Sequence, residues 1–100
     1  MRLSEVLERV EGVQVRGLVD TQIAEIKCDS RLVNPGDMFV AIVGYKTDGH
    51  EHVVSALEKG ASVIAVQAGS YDASLIPENV TVVVAEDTRK WYVVGAGASP

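Results

Sequence analysis

Between residues 29 and 50 the chain gathers groups suited to holding a ligand. Asp29-Ser30-Arg31 opens the stretch and Asn34-Pro35-Gly36-Asp37 turns it. Met38 to Val43 then runs apolar, and Gly44-Tyr45-Lys46-Thr47-Asp48-Gly49-His50 follows. A polar, glycine-flanked loop after an apolar strand and before a helix is a common ligand junction in α/β sheets, because helix-start N–H groups favour an anion. Phosphate suits such a loop: Lys46 offers a point charge to a diphosphate, Tyr45 a ring face to a base, and Thr47 a hydroxyl or its backbone N–H. A solvated, capped turn with no ligand would read the same way.

Ser30 carries a short hydroxyl that donates and accepts at once. As a nucleophile it would need a base, and neither a Gly-x-Ser-x-Gly elbow nor a neighbouring histidine surrounds it. Asp29 and Arg31 are close enough to pin the following turn as a hydrogen-bonded ion pair. His50 and His52 lie two apart at a helix start, so they point in different directions and make a poor metal pair; capping or packing is the reading they support. Cys28 has no CxxC partner and reads as a small buried or pocket-wall residue. The acids fall in caps and on helix faces, and no GxxxxGK[ST] phosphate loop occurs, so neither a catalytic residue, a metal ligand nor an ATP site is expected in this stretch of chain.

The elements that must position these groups follow from periodicity. Leu3, Val6, Leu7 and Val10 mark a short amphipathic helix over residues 3–11, ended by Gly12. Val13 and Val15 alternate with Gln14 and Arg16, and a second β-like run covers Ile23 to Cys28. Asn34-Pro35-Gly36-Asp37 fits a type II turn, with Pro presetting the first central φ and Gly accepting a positive second one. Met38 to Val43 lacks alternation, which predicts a central strand covered on both faces. Asp48 and Glu51 have N-cap and N3 spacing for a helix over residues 49–59, with Gly60 as its left-handed cap. Ser62 to Val66 and Val80 to Ala85 read as buried strands, separated by a surface excursion over residues 68–79. Strand, helix and strand with short connections make the fold α/β: a small single domain with a central mixed sheet and flanking helices. Asp87 to Lys90 has the makings of a helix start, and residues 90–100 are expected to form a truncated or frayed tail.

Composition removes whole classes of function. The 100 residues are 47% hydrophobic and 23% charged, an ordinary globular balance that supports a core without staples. A net charge of -5 with nine scattered basic residues argues against nucleic acid. One cysteine fits a reducing cytoplasm, and neither a leader-like segment nor an apolar run of about 18 residues is present, so no membrane partner is expected.

Asp29-Ser30-Arg31, Val33, Pro35-Gly36-Asp37, Phe39-Val40-Ala41, Gly44, Asp48-Gly49-His50, Ala56 and Gly60-Ala61, in that order, resemble the N-terminal domain of the Mur ligases, and Glu86-Asp87-Thr88-Arg89 resembles its end. These enzymes are ATP-dependent amide-bond ligases of peptidoglycan precursor synthesis. The resemblance covers residues 1–89 and is strongest to the branch that adds the third stem-peptide residue. It implies that residues 1–89 hold UDP-N-acetylmuramoyl-L-alanyl-D-glutamate, with uridine and diphosphate contacts falling on Cys28, Ser30, Tyr45, Lys46 and Thr47. It also implies that ATP and magnesium act in a central domain, beside a C-terminal domain that recruits the amino acid, so the fragment alone is expected to be inactive. The sister branch that adds D-alanyl-D-alanine shares much of the pattern. A non-catalytic α/β interaction module is the reading from a different class.

Overall fold

In a computed structural model of the chain, residues 1–43 and 48–89 are described. Helix α1 (Leu3–Leu7) and strand β1 (Val13–Arg16) come first, then β2 (Ile26–Lys27), a 3-10 turn at Ser30–Leu32 and β3 (Met38–Val40). A second 3-10 turn, Gly49–His52, leads into α2 (Val53–Glu58), β4 (Val63–Gln67), a third 3-10 turn at Ala73–Leu75 and β5 (Thr81–Ala85). The sheet order is β1-β5-β4-β3-β2. Strands β2 to β5 run parallel, and β1 lies antiparallel on β5, with Val13 opposite Ala85 and Arg16 opposite Val82. The mixed α/β sheet expected from the sequence is therefore present.

Period-2 alternation on strands apolar throughout builds two cores, one on each face. Phe39, Ile64, Val66 and Val82 pack with Val53 and Ala56 of α2. Met38, Val40, Val63, Ala65 and Val83 pack with Leu3 and Val6 of α1. All three β3 residues are fully buried. Strand β3 is interior but not central, since β4 holds the middle of the sheet. It also stops at Val40, shorter than its apolar run.

Helix α1 is shorter than residues 3–11, although Gly12 does take a positive φ of 70° after it. The expected helix over 49–59 is split into a 3-10 turn and an α-helical segment, and Gly60 follows with φ 94°. The turn at residues 34–37 forms as expected: Gly36 has φ 88°, and the Asp37 N–H donates to the Asn34 carbonyl at 3.0 Å. Asp37 then fastens β2 to β3. Its buried carboxylate accepts from the Asn34 N–H at 2.8 Å, the Glu25 N–H at 3.1 Å and the Lys27 ammonium at 3.0 Å. Three donors replace the water that burial removes from these oxygens. The register between β2 and β3 is thereby set, and with it the position of the segment from Cys28 to Arg31.

Candidate functional site

Chain leaving the C-terminal end of β2 makes the first side of the site. The Asp29 carboxylate accepts from the Arg31 N–H at 2.9 Å and from the Arg31 guanidinium at 2.7 to 3.2 Å. This clamp closes the Ser30–Leu32 turn, as the spacing of the two residues suggests, and folds Ser30 inward to 6% exposure. The same clamp holds the exposed Asp29 carboxyl down at about 2, first through the Arg31 side chain and then through the Arg31 N–H. The Ser30 hydroxyl makes no hydrogen bond to the described residues.

Chain beyond β3 makes the second side. Val43 bridges to Asp48, and the Gly49 N–H donates to the Ile42 carbonyl at 2.8 Å. A Cβ at position 49 would lie 2.7 Å from the Ile42 nitrogen, closer than two such atoms can approach, so only glycine fits. Asp48 caps the turn that follows, accepting the His50 N–H at 2.9 Å, and its carboxyl is held below the usual range chiefly by that bond. The first amide of the turn is therefore already used by the protein, and α2 proper begins only at Val53. The helix-start contribution to anion binding is smaller here than an uncapped helix from residue 49 would offer.

A hollow of about 600 Å³ lies between the two sides, at the carboxyl ends of β2 and β3. Cys28, Asp29, Ser30 and Arg31 line it from the first side, and Ile42, Gly49, His52 and Ser55 from the second. That volume suits a small organic ligand, and strand carboxyl ends are where parallel sheets place one. Burial pushes the Cys28 thiol up, so at neutral pH it stays protonated and serves as wall, not nucleophile. Arg31 brings a positive charge, but Asp29 balances it. Among the described residues no group of three His, Cys, Asp or Glu side chains could hold a metal ion.

Of the residues nominated from sequence, Cys28 and Ser30 share this hollow. Tyr45, Lys46 and Thr47 lie outside the described residues, as does the tail over 90–100. Ile42, Gly49, His52 and Ser55 were not nominated. The three-residue spacing of His52 and Ser55 puts both on one side of a helical turn, the one signal the sequence offers for them. His50 points the other way: it is buried, and its ring stacks on Tyr71 at 6.2 Å.

A family profile described as "Mur ligase family, catalytic domain" matches residues 22–98. The chain belongs to the Mur ligase family. Similar Mur ligase relatives include the UDP-N-acetylmuramoyl-L-alanyl-D-glutamate--2,6-diaminopimelate ligase of Clostridium tetani, 38% identical over 96 residues that cover 96% of this chain and 20% of the relative. The ligase of the same name from Phocaeicola vulgatus is 36% identical, over 89% of this chain and 18% of its own length. The chain thus spans about a fifth of the length of these curated relatives. Among solved structures, MurF from Acinetobacter baumannii is 31% identical with a TM-score of 0.55, over 67% of this chain and 14% of that one. The MurF ligase from Thermotoga maritima, solved in complex with ADP, is 24% identical with a TM-score of 0.58 over 79% of this chain and 17% of that one, and shares the fold. Among the described residues no helix is long and apolar enough to cross a membrane.

Proposed function

We propose that residues 1–89 form the part of a cytoplasmic tripeptide-forming ligase that holds the UDP end of UDP-N-acetylmuramoyl-L-alanyl-D-glutamate. One observation carries this reading: Cys28 and Ser30, nominated for the uridine and diphosphate contacts, line a single hollow with Ile42 and Gly49. The sequence places Tyr45, Lys46 and Thr47 between those last two residues. The names of the two relatives above, both acting on UDP-N-acetylmuramoyl-L-alanyl-D-glutamate, support the same substrate.

In this reading the residues contribute orientation. Fixing the nucleotide end of a long substrate removes translational and rotational freedom before the transition state forms, which speeds a reaction some distance away. In the whole ligase ATP and magnesium would supply the activation of the substrate carboxylate. The Ser30 hydroxyl donates to or accepts from the UDP head, and the Cys28 and Ile42 side chains cover its apolar surface.

Calorimetric titration of UDP and of the UDP-muramoyl dipeptide into wild type and Ser30→Ala tests the reading. Loss of one neutral hydrogen bond should weaken binding by up to about tenfold. Identical affinities would count against it. The MurF likeness at 31% identity favours a second reading, in which the ligase adds D-alanyl-D-alanine. Clear preference for the UDP-muramoyl tripeptide over the dipeptide would select that reading instead.

A further inference from the structure

We infer that His50 is a positioning residue for the hollow, an inference that rests on the nucleotide reading above. The residue is 5% exposed and does not itself line the hollow. Both of its ring nitrogens are engaged. Nε2 lies 2.9 Å from the Gln67 backbone nitrogen, and since a backbone N–H can only donate, Nε2 is the acceptor. The ring proton therefore sits on Nδ1, which donates to the Asp48 carboxylate. That same carboxylate oxygen receives the His50 N–H at 2.9 Å.

The ring thus bolts the Gly49–His52 turn to the end of β4, while the Gly49 N–H ties its front to the Ile42 carbonyl. Tyr71 stacks against the imidazole at an interplanar angle of 22° and limits its tilt. The residues on either side of this anchor in the turn, Gly49 and His52, are the ones that line the hollow. Placement of that side of the hollow therefore depends on an imidazole bonded at both nitrogens. A rigid first layer of contacts needs such a support behind it. Asp48-Gly49-His50 becomes a mechanical unit: a cap, a close backbone approach and an anchor.

The test is calorimetry with UDP on wild type, His50→Ala and His50→Asn, with amide spectra reporting the folded state. His50→Ala should bind about tenfold more weakly while folded, and His50→Asn, whose amide can still donate to Asp48 but is too short to accept from the Gln67 N–H, should recover at most about half of that loss. Folded His50→Ala with affinity within about twofold of wild type would overturn the inference. If His50→Ala does not fold, His50→Gln replaces it, keeping bulk and an acceptor toward Gln67 but no donor at the Nδ1 position. About fivefold weaker binding by the folded variant is then expected, and wild-type affinity would overturn the proposal. Absence of heat with wild type would sink the nucleotide reading instead. Amide exchange would then decide the positioning role alone: faster exchange at Gly49 and His52 in the His50 variants supports it, and unchanged exchange overturns it.

Discussion

Asp29-Ser30-Arg31 and Asp87-Thr88-Arg89 are the same device used at two places, the carboxyl ends of β2 and β5. In each, the aspartate accepts the N–H of the arginine two residues on at 2.9 Å, and the guanidinium Nε returns to the same oxygen at 3.0 Å. The middle residue is buried in both, Ser30 at 6% exposure and Thr88 at 0%. They part at the hydroxyl. Thr88 turns its N–H, at 3.3 Å, and its hydroxyl, at 3.5 Å, to the Gln67 side-chain oxygen. Ser30 fronts the hollow, and its hydroxyl bonds to none of the described residues. The Asp-x-Arg triplet therefore builds a turn, and the neighbourhood of its middle hydroxyl decides whether that turn is structural or available to a ligand.

The largest expected effect comes from removing the hollow while leaving both triplets intact. Gly49→Ala forces a Cβ onto the Ile42 backbone, which cannot yield as a flexible side chain would. A loss of about 3 kcal/mol in unfolding free energy is expected, together with loss of UDP heat. Urea denaturation and calorimetry measure the two, and a variant with wild-type stability and binding would break the assignment of Ser30's role to its surroundings.

A crossed pair of variants sharpens the contrast. Thr88→Val should lower stability by about 1 kcal/mol and leave UDP affinity alone, because only an internal bond is lost. Ser30→Ala should do the reverse, with a melting temperature near wild type and binding weakened up to about tenfold. Equal behaviour of the two variants in both measurements would mean the triplets are interchangeable.

Cys28, just before the first triplet, gives a smaller effect. Its thiol is pushed up by burial, so at pH 7.5 its thiolate fraction is below that of an exposed cysteine. Iodoacetamide should alkylate it about tenfold more slowly than a small free thiol, and UDP should slow it further. Rapid alkylation unaffected by UDP would place Cys28 away from the ligand.

Much of this arrangement was legible in the chain. Strands buried on both faces announced themselves as apolar runs without alternation, and Pro35-Gly36 announced the turn. Asp29 and Arg31 pair as their spacing suggests because the contact is local. What was not legible depended on distant partners. Strand β2 keeps only Ile26–Lys27 from a longer β-like run, since its register is set by Asp37 ten residues beyond Lys27. The break of the 49–59 helix arises because Gly49 is held on the Ile42 backbone, a contact no helical periodicity encodes. His52 reads as a capping or packing residue, and nothing local ties it or Ser55 to a ligand, because the triplet facing them across the hollow lies more than twenty positions away.

The smallest expected effect concerns the first triplet's charge. Asp29 has its carboxyl lowered from 3.8 to about 2 by the Arg31 side chain and then by the Arg31 N–H. A carboxyl with a depressed folded value adds stability that is fully present above its unfolded value and is lost as pH falls through the folded one. The contribution should therefore persist above pH 4 and fade toward pH 2. Asp29→Asn keeps an oxygen for the Arg31 N–H and removes the charge, so its stability deficit against wild type should be constant at pH 5 to 7 and shrink between pH 4 and 2. Because the pair is exposed, the deficit at neutral pH should be small, and added salt should reduce it. Urea midpoints at pH 6, 4 and 2.5 read this directly. A deficit that grows on acidification would mean that the turn at Ser30 is held by something other than this ion pair, and the likeness between the two triplets would then be one of sequence alone.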